Sequence, residues 1–235
     1  MHQRTKLAKV TGLISSYKDK KGNYIPIEKL GDATQVTPDM LIAVLALDRE
    51  VKDNQGTLLI TELWRSWDTQ AQAYKAKPKL ANPPGKSFHQ AGVAVDIDTK
   101  NLNFIGVPKD QWLEKFWELS KPLGFHPVIS RPDLSIAENW HFQLYGKDWE
   151  AASLKIMMSE LAKCCILDVG MWTPSEDKEK VKRMFIQSQL IRLGHYEIST
   201  VDGIFGPKTN GVLEFMGLKD MDTATVADIL SKRVI

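Results

Sequence analysis

The stretch GVAVDID, residues 92–98, places two carboxylates in an otherwise apolar run that includes β-branched residues. Such a run predicts a buried β-strand, whose side chains alternate between two faces. The alternation assigns the residues to the two faces as follows: Val93, Val95 and Ile97 on one, and Ala94, Asp96 and Asp98 on the other. A buried carboxylate is costly unless it is paired or binds a metal. Asp96 therefore either holds a loop as a satisfied polar group or binds something together with His89 in the preceding loop.

The composition limits the classes of partner. The chain has 235 residues, 43% of them hydrophobic and 26% charged, with a formal net charge of +2. This length allows one large domain or two small ones. A nearly balanced charge gives no strong field for nucleic acid or an anionic membrane, and no stretch approaches the ~18 apolar residues of a membrane span. We expect a monomer without a nucleic-acid or membrane partner.

The N-terminus and the cysteines suggest where the chain is made. Residues 1–22 are partly basic but contain no continuous apolar segment, so we expect synthesis in the cytoplasm without a secretory signal. Cys164 and Cys165, the two cysteines of the chain, are adjacent. Adjacent cysteines rarely form an unstrained disulfide, which predicts two thiols in a reducing compartment. A zinc role for this pair is an alternative that its spacing disfavours.

Helices and short strands are intermixed over the first 148 residues, which predicts an α+β domain with a small antiparallel sheet. Thr37 and Pro38 are suited to the N-cap and first position of a helix whose apolar residues recur at helical spacing. The other predicted elements of this region are strands at 57–63, 92–98 and 139–146, a short helix at 68–76 capped by Asp68 or Thr69, and a helix at 109–124 ended by Pro122 and Gly124.

The remainder of the chain reads as helical. Residues 149–175 predict a helical connector followed by a polar linker, and residues 176–235 predict a module of three helices. In the first of these helices, Ile186, Leu190 and Leu193 lie on one face, and Gly194 is suited to the C-terminal cap. A module of this size is near the lower limit for independent folding.

His141, in the segment AENWHFQ, could complete a metal site with His89 and Asp96. A catalytic zinc site takes three protein ligands at ~2.0–2.2 Å and keeps one position for water. Glu138, three residues before His141, could then act as a base that does not bind the metal. Asp98 is expected to be solvated or to cap the strand end. Taken alone, neither the pair of His89 and Asp96 nor the pair of Glu138 and His141 excludes the alternative that the histidines are hydrogen-bonded or at the surface.

The two halves together resemble the zinc metallopeptidases of bacterial cell walls, which comprise D-alanyl-D-alanine carboxypeptidases and dipeptidases and L-alanyl-D-glutamate endopeptidases. The family pattern SxHxxGxAxD appears from Ser87 to Asp96, and ExWH appears from Glu138 to His141. The resemblance implies that His89, Asp96 and His141 bind Zn²⁺. It implies the following roles for the other positions: Glu138 as general base, Arg65 as a ligand of a substrate carboxylate or of the oxyanion, and Gln70, Ser87 and Trp140 as substrate-binding residues.

The C-terminal segment resembles a second family, the three-helix peptidoglycan-binding domains. The matching features are Gln187, Leu193-Gly194 and the stretch DGIFGPKT at 202–209, whereas the usual ending AVxxFQ is replaced by GVLEFMG. An ordinary helical tail is the alternative. The predicted domains are a zinc peptidase at 1–148, the connector and linker, and a peptidoglycan-binding domain at 176–235.

Together these resemblances predict a phage endolysin-like peptidase, made in the host cytoplasm, that cuts the stem peptide of peptidoglycan after release. The L-alanyl-D-glutamate bond is the first expectation. D-alanyl-D-alanine carboxypeptidase activity is the alternative, since both activities share the motif. A non-catalytic wall-binding protein and a serine or cysteine hydrolase are further alternatives. The surroundings of Ser87 lack a GxSxG nucleophile elbow.

Overall fold

The computed structural model describes residues 6–172 and 177–233, which form a mixed α+β structure with a mainly antiparallel sheet. The α+β prediction is confirmed at this level, and the peptidoglycan-binding domain stays a prediction. The strands are β1 (Ala8–Lys9), β2 (Ile14–Lys18), β3 (Tyr24–Pro26), β4 (Gln35–Val36), β5 (Gly56–Thr57), β6 (Ile60–Glu62), β7 (Ala94–Ile97), β8 (Asn103–Phe104), β9 (His126–Pro127) and β10 (His141–Gln143).

The helices alternate with these strands and then follow one another to the end of the described chain. They are α1 (Pro38–Asp53), α2 (Trp67–Ala76), α3 (Phe88–Ala91), α4 (Trp112–Ser120), α5 (Lys147–Ser153), α6 (Met158–Asp168), α7 (Lys178–Arg192), α8 (Pro207–Phe215) and α9 (Thr223–Arg233). Short 3-10 segments occur at Ile27–Thr34, Lys109–Gln111 and Lys121–Leu123. None of the helices in the described part of the chain is long and apolar enough to span a membrane.

The main sheet has the strand order β3-β2-β6-β7-β10-β9. Its neighbouring strands are antiparallel except for β2 and β6, which are parallel. Strand β7 therefore lies between β6 and β10, far from either edge of the sheet. Residues on these three strands that share a register position also share a face, because side chains alternate along each strand.

The described chain divides into two compact units. One contains Leu7–Ser66 and Gly92–Leu144, and with them every strand of the main sheet. The other contains Trp67–Ala91 and the described residues from Tyr145 onward, which are helical. The domain boundaries drawn from the sequence stay a prediction, and residues 173–176 of the predicted linker lie outside the described residues, as does His2.

Helix α1 covers the apolar core of the sheet unit. The Thr37 side chain accepts a hydrogen bond from the Met40 backbone N–H, which confirms the predicted N-cap. The core face of α1 is buried, as the helical spacing predicts, at Met40, Val44, Leu47 and Val51. Phe142 of β10 is fully buried and packs edge-on against Phe116 of α4, with ring centroids 5.0 Å apart. This packing fixes β10, and hence His141, against the core.

Two local predictions need correction. Helix α2 begins at Trp67, so Asp68 and Thr69 lie in its first turn and neither is its cap. The predicted strand 57–63 is divided into two strands, β5 and β6. β5 pairs with β8, β6 pairs with β7, and residues 58 and 59 between them belong to neither ladder. Over the connector predicted at 149–175, the structure forms two helices, α5 and α6, and Met157 is extended just before α6.

The helical unit is organised around α7. Gln187 at the centre of α7 donates to Asp202 Oδ1 and to the Ile204 carbonyl, and accepts from the Asp202 and Gly203 backbone N–H groups. The side chain of Gln187 therefore secures the turn that begins the DGIFGPKT stretch. Gly194 has a φ of +100°, as its predicted position after the end of α7 requires.

Candidate metal centre

A row of polar residues crosses three neighbouring strands of the main sheet. Glu62 on β6 is in register with Asp96 on β7, and Asp96 is in register with His141 on β10. Directly opposed residues point to the same face, so the three side chains lie side by side. The opposite face at this level carries Val95 and Phe142, which belong to the core. The sheet therefore presents an apolar face to the core and this polar row on the other face.

Asp96 is the centre of the row. It is 6% exposed, and its Oδ1 lies 2.8 Å from His141 Nδ1. Its Oδ2 lies 3.6 Å from Arg65 Nη2. A buried carboxylate requires such compensation, and Arg65 supplies part of it here. The sequence predicts a metal as the group that compensates the charge of Asp96. Nothing in the sequence indicates that Arg65 is an ionic partner of Asp96.

His89 lies in the short helix α3 and is 1% exposed. Gly92, between α3 and β7, has a φ of +68°, and a Cβ there would approach the Val36 Cα to 3.1 Å. The Gly92 carbonyl also accepts the Thr37 backbone N–H at 2.9 Å. The glycine of the motif is thus required both by its backbone conformation and by the close approach of this neighbouring strand.

His89, Asp96 and His141 each offer one ligand atom, and these atoms all lie within 4.8 Å of one another. Two imidazoles and one carboxylate form a donor set that suits zinc. Among the residues that the structure describes, this cluster has three donors, which is the number typical of zinc sites that keep a position for water. The residues therefore fit a metal ion, and the metal is an inference from this donor chemistry.

Glu138, the predicted base, adopts an unusual backbone conformation. Its φ is +66°, in the left-handed region that non-glycine residues rarely adopt. The loop around it is tied down by Asn139, whose amide donates to the Leu134 and Ile136 carbonyls and whose Oδ1 accepts from Thr99. Strained residues of this kind persist only where the surroundings determine them, and they cluster at functional sites.

Arg65 lies between the carboxylates of this region. Its Nε donates to Glu62 Oε1 at 2.7 Å, and its Nη2 donates to Glu62 Oε2, which makes a two-pronged ion pair. Burial alone would lower the pKa of Arg65. The hydrogen bond and charge of Glu62, with the charges of Asp96 and Glu138, outweigh burial and leave the pKa above its ordinary value. Arg65 is therefore a permanent cation beside the candidate metal ligands.

The other predicted site residues have structural contacts of their own. Gln70 is buried, and its amide donates to the Asn82 carbonyl at 2.6 Å. The Ser87 carbonyl accepts from the Gln90 backbone N–H, and the Trp140 carbonyl accepts from the Ile97 backbone N–H. The substrate-binding roles of Gln70, Ser87 and Trp140 stay predictions. Asp98 accepts from Asn101 just beyond the strand, as expected for a cap.

Two further polar residues of this face, Glu62 in the row and Gln143 beside it, are not predicted from the sequence. Glu62 carries a charge at the end of an apolar strand, which is the same signal that identified Asp96. Gln143 follows His141 by two residues, so strand periodicity alone assigns it to the same face. Its amide nitrogen lies 3.2 Å from His141 Nε2. The pattern in each case was visible in the sequence, but the partner was not.

The cysteines do not belong to the site. Cys164 and Cys165 are unpaired thiols buried in α6, as predicted. Burial raises the pKa of Cys164 to about 12 and that of Cys165 well above its ordinary value. The thiolate is the nucleophilic form of cysteine, so these side chains are inert near neutral pH. This disfavours a cysteine hydrolase.

Comparisons with known proteins leave the family open. No family model matches the chain, and no curated protein matches it. A solved structure of the LdcB LD-carboxypeptidase, described as revealing the molecular basis of peptidoglycan recognition, is similar with a TM-score of 0.44 and 18% identity, over 68% of this chain and 78% of that chain. A similarity at this level supports no argument about activity. The function proposed below therefore rests on the residues of this chain.

Proposed function

We propose that the chain is a zinc-dependent peptidase that hydrolyses the stem peptide of peptidoglycan, with the L-alanyl-D-glutamate bond as its target. The observation that carries the proposal is the cluster of His89, Asp96 and His141, whose ligand atoms lie within 4.8 Å of one another. The two motifs that contain these residues supply the substrate class by resemblance. The proposal includes an endolysin-like role, with synthesis in the cytoplasm, a C-terminal wall-binding module and action on the wall after release.

Each charged residue of the site has a task in this reaction. Bound zinc would lower the pKa of its water to about 7 and polarise the scissile carbonyl. Glu138 would take the proton from that water and pass it to the leaving amine. Arg65 would stabilise the negative charge that develops on the carbonyl oxygen. The ion pair with Glu62 would hold the guanidinium in place for this purpose.

The surroundings of Arg65 favour an endopeptidase over a carboxypeptidase. A carboxypeptidase must bind the terminal carboxylate of its substrate, and Arg65 is the cation that the resemblance offers for it. Glu62 already engages Arg65 with two hydrogen bonds, and Asp96 lies 3.6 Å away. A substrate carboxylate would have to compete with both of these carboxylates for the guanidinium group of Arg65. D-alanyl-D-alanine carboxypeptidase activity is the second candidate.

Mass analysis of digested peptidoglycan tests the proposal. A new N-terminal D-glutamate would identify the endopeptidase, and the loss of one terminal D-alanine would identify the carboxypeptidase. Activity should disappear with a chelator and return with Zn²⁺. Asp96→Asn should abolish both activity and zinc binding, whereas the matched variant Asp98→Asn, two residues along the chain, should retain them. If the zinc-loaded protein releases no new peptide termini from peptidoglycan, the proposed peptidase activity is refuted.

A further inference from the structure

Gln143 contacts the ring of His141 on the side opposite Asp96. The Gln143 amide nitrogen lies 3.2 Å from His141 Nε2, and Asp96 Oδ1 lies 2.8 Å from His141 Nδ1. Gln143 is 7% exposed, so water competes little for its amide. The imidazole is therefore held at both of its nitrogens by polar side chains.

A neutral imidazole carries one proton, so one ring nitrogen donates while the other accepts. With the proton on Nδ1, His141 donates to Asp96, and Nε2 accepts from the Gln143 amide. With the proton on Nε2, Nδ1 can bind a metal beside Asp96, and Nε2–H requires an acceptor. Rotating the Gln143 amide by half a turn brings its carbonyl oxygen to that position.

We infer that Gln143 is a positioning residue that holds His141 in both states, as a donor before metal binds and as an acceptor afterwards. The inference rests on the proposed metal site and names the side chain that sets the orientation and tautomer of one ligand. Metal-binding histidines generally donate their second N–H to such a partner, and losing that partner typically costs about 10–100-fold in metal affinity.

The residue type and its neighbours suit this role. A glutamine amide has both a donor and an acceptor, whereas a glutamate offers only acceptors when ionised and a methionine offers no comparable group. On β7 the residue in register with Gln143 is Ala94, which is fully buried. A methyl group at Ala94 leaves more space for the amide to rotate than a larger side chain would. On β9 the residue in register with Gln143 is His126.

Zinc affinity of the full chain tests the acceptor state. Competition with a chromogenic chelator should show that Gln143→Met weakens zinc binding by about 10–100-fold. Gln143→Glu, which keeps the acceptor, should bind zinc at least as tightly as the wild type. Gln111→Met, at an exposed position before α4, is the matched control and should bind normally. Circular dichroism checks that each variant is folded, and Gln143→Glu supplies the test if Gln143→Met does not fold.

Nitrogen-15 NMR of the His141 ring tests the tautomer directly. We expect Nδ1–H in the metal-free protein and Nε2–H in the zinc-loaded protein. Wild-type zinc affinity in folded Gln143→Met, or weaker binding in folded Gln143→Glu, would overturn the acceptor role. Nε2–H in the metal-free protein would overturn the donor role. If the wild type binds no zinc, the proposed metal site and the acceptor role both fail, while the metal-free spectrum still decides the donor role.

Discussion

Replacing Glu138 separates the strain of its backbone from the function of its side chain. Glu138 has a φ of +66°, a conformation that costs a non-glycine residue about 1–2 kcal/mol. Glu138→Ala and Glu138→Gly both remove the carboxylate, but only glycine relieves the strain. The free energy of unfolding of the two variants therefore differs by a backbone contribution alone.

The expected difference follows from two opposing contributions. Relief of strain favours the glycine variant by about 1–2 kcal/mol. The greater freedom of glycine in the unfolded chain opposes it by about 0.4–1 kcal/mol. Glu138→Gly should thus be more stable than Glu138→Ala by about 0.5–1 kcal/mol, measured by urea unfolding of the metal-free protein. Both variants should lose peptidoglycan hydrolysis by about 10²–10⁴-fold, because both lack the base.

Gln55 offers a matched control outside the site. It follows the C-terminal cap of α1, and its φ is +56°. Gln55→Gly should exceed Gln55→Ala in stability by a similar amount, and both variants should keep full activity. If Glu138→Ala is as stable as Glu138→Gly while the Gln55 pair differs, the backbone at residue 138 is not strained. If the Glu138 variants remain active, Glu138 is not the base.

Further predictions concern the core, a helix cap, a thiol and an acid-sensitive contact. Phe142→Ala should lower the free energy of unfolding by about 3–5 kcal/mol and weaken zinc binding, because the fully buried ring fixes β10; an unchanged unfolding midpoint would contradict this. Thr37→Ala should cost about 1 kcal/mol through loss of the α1 cap, measured by urea unfolding. Cys164 should resist thiol reagents near neutral pH until denaturant is added, because burial raises its pKa to about 12; rapid labelling of the native protein would refute its inertness. The hydrogen bond from Thr223 lowers the pKa of Glu179. Ionised Glu179 therefore stabilises the fold above its unfolded pKa, and this stabilisation is lost as pH falls through its folded pKa. Thr223→Val should reduce the acid dependence of stability, measured by urea unfolding at a series of pH values.

The candidate site could be predicted from sequence where chemistry and local periodicity coincide. Asp96 stands in a run whose strand character follows from its residue types, and a buried carboxylate there requires a partner. The spacing of His89 and His141 and the motif resemblance predict both as metal ligands, and the structure brings their ligand atoms within 4.8 Å of an Asp96 oxygen and of each other. The N-cap of α1 could be predicted equally well, because the Thr37 side chain accepts its hydrogen bond from Met40, only three residues along the chain.

What the sequence did not reveal depends on the pairing of distant strands. Asp96 and His141 are 45 residues apart, and the sheet places them in one register row with Glu62. That row explains why Arg65 pairs with Glu62 and lies beside Asp96, which residue spacing alone did not indicate. The positive φ of Glu138 is likewise a product of the surrounding loop contacts, because glutamate has no intrinsic preference for it.

The sequence by itself thus determined the chemical groups of the candidate metal centre and the periodicity that keeps them off the core face. Only the tertiary structure decided which neighbours those groups meet, since register is set by packing across the whole sheet. Gln143 illustrates both parts. Its position two residues after His141 was fixed by the chain, but its contact with the His141 ring depends on how β10 pairs with β7 and orients that ring.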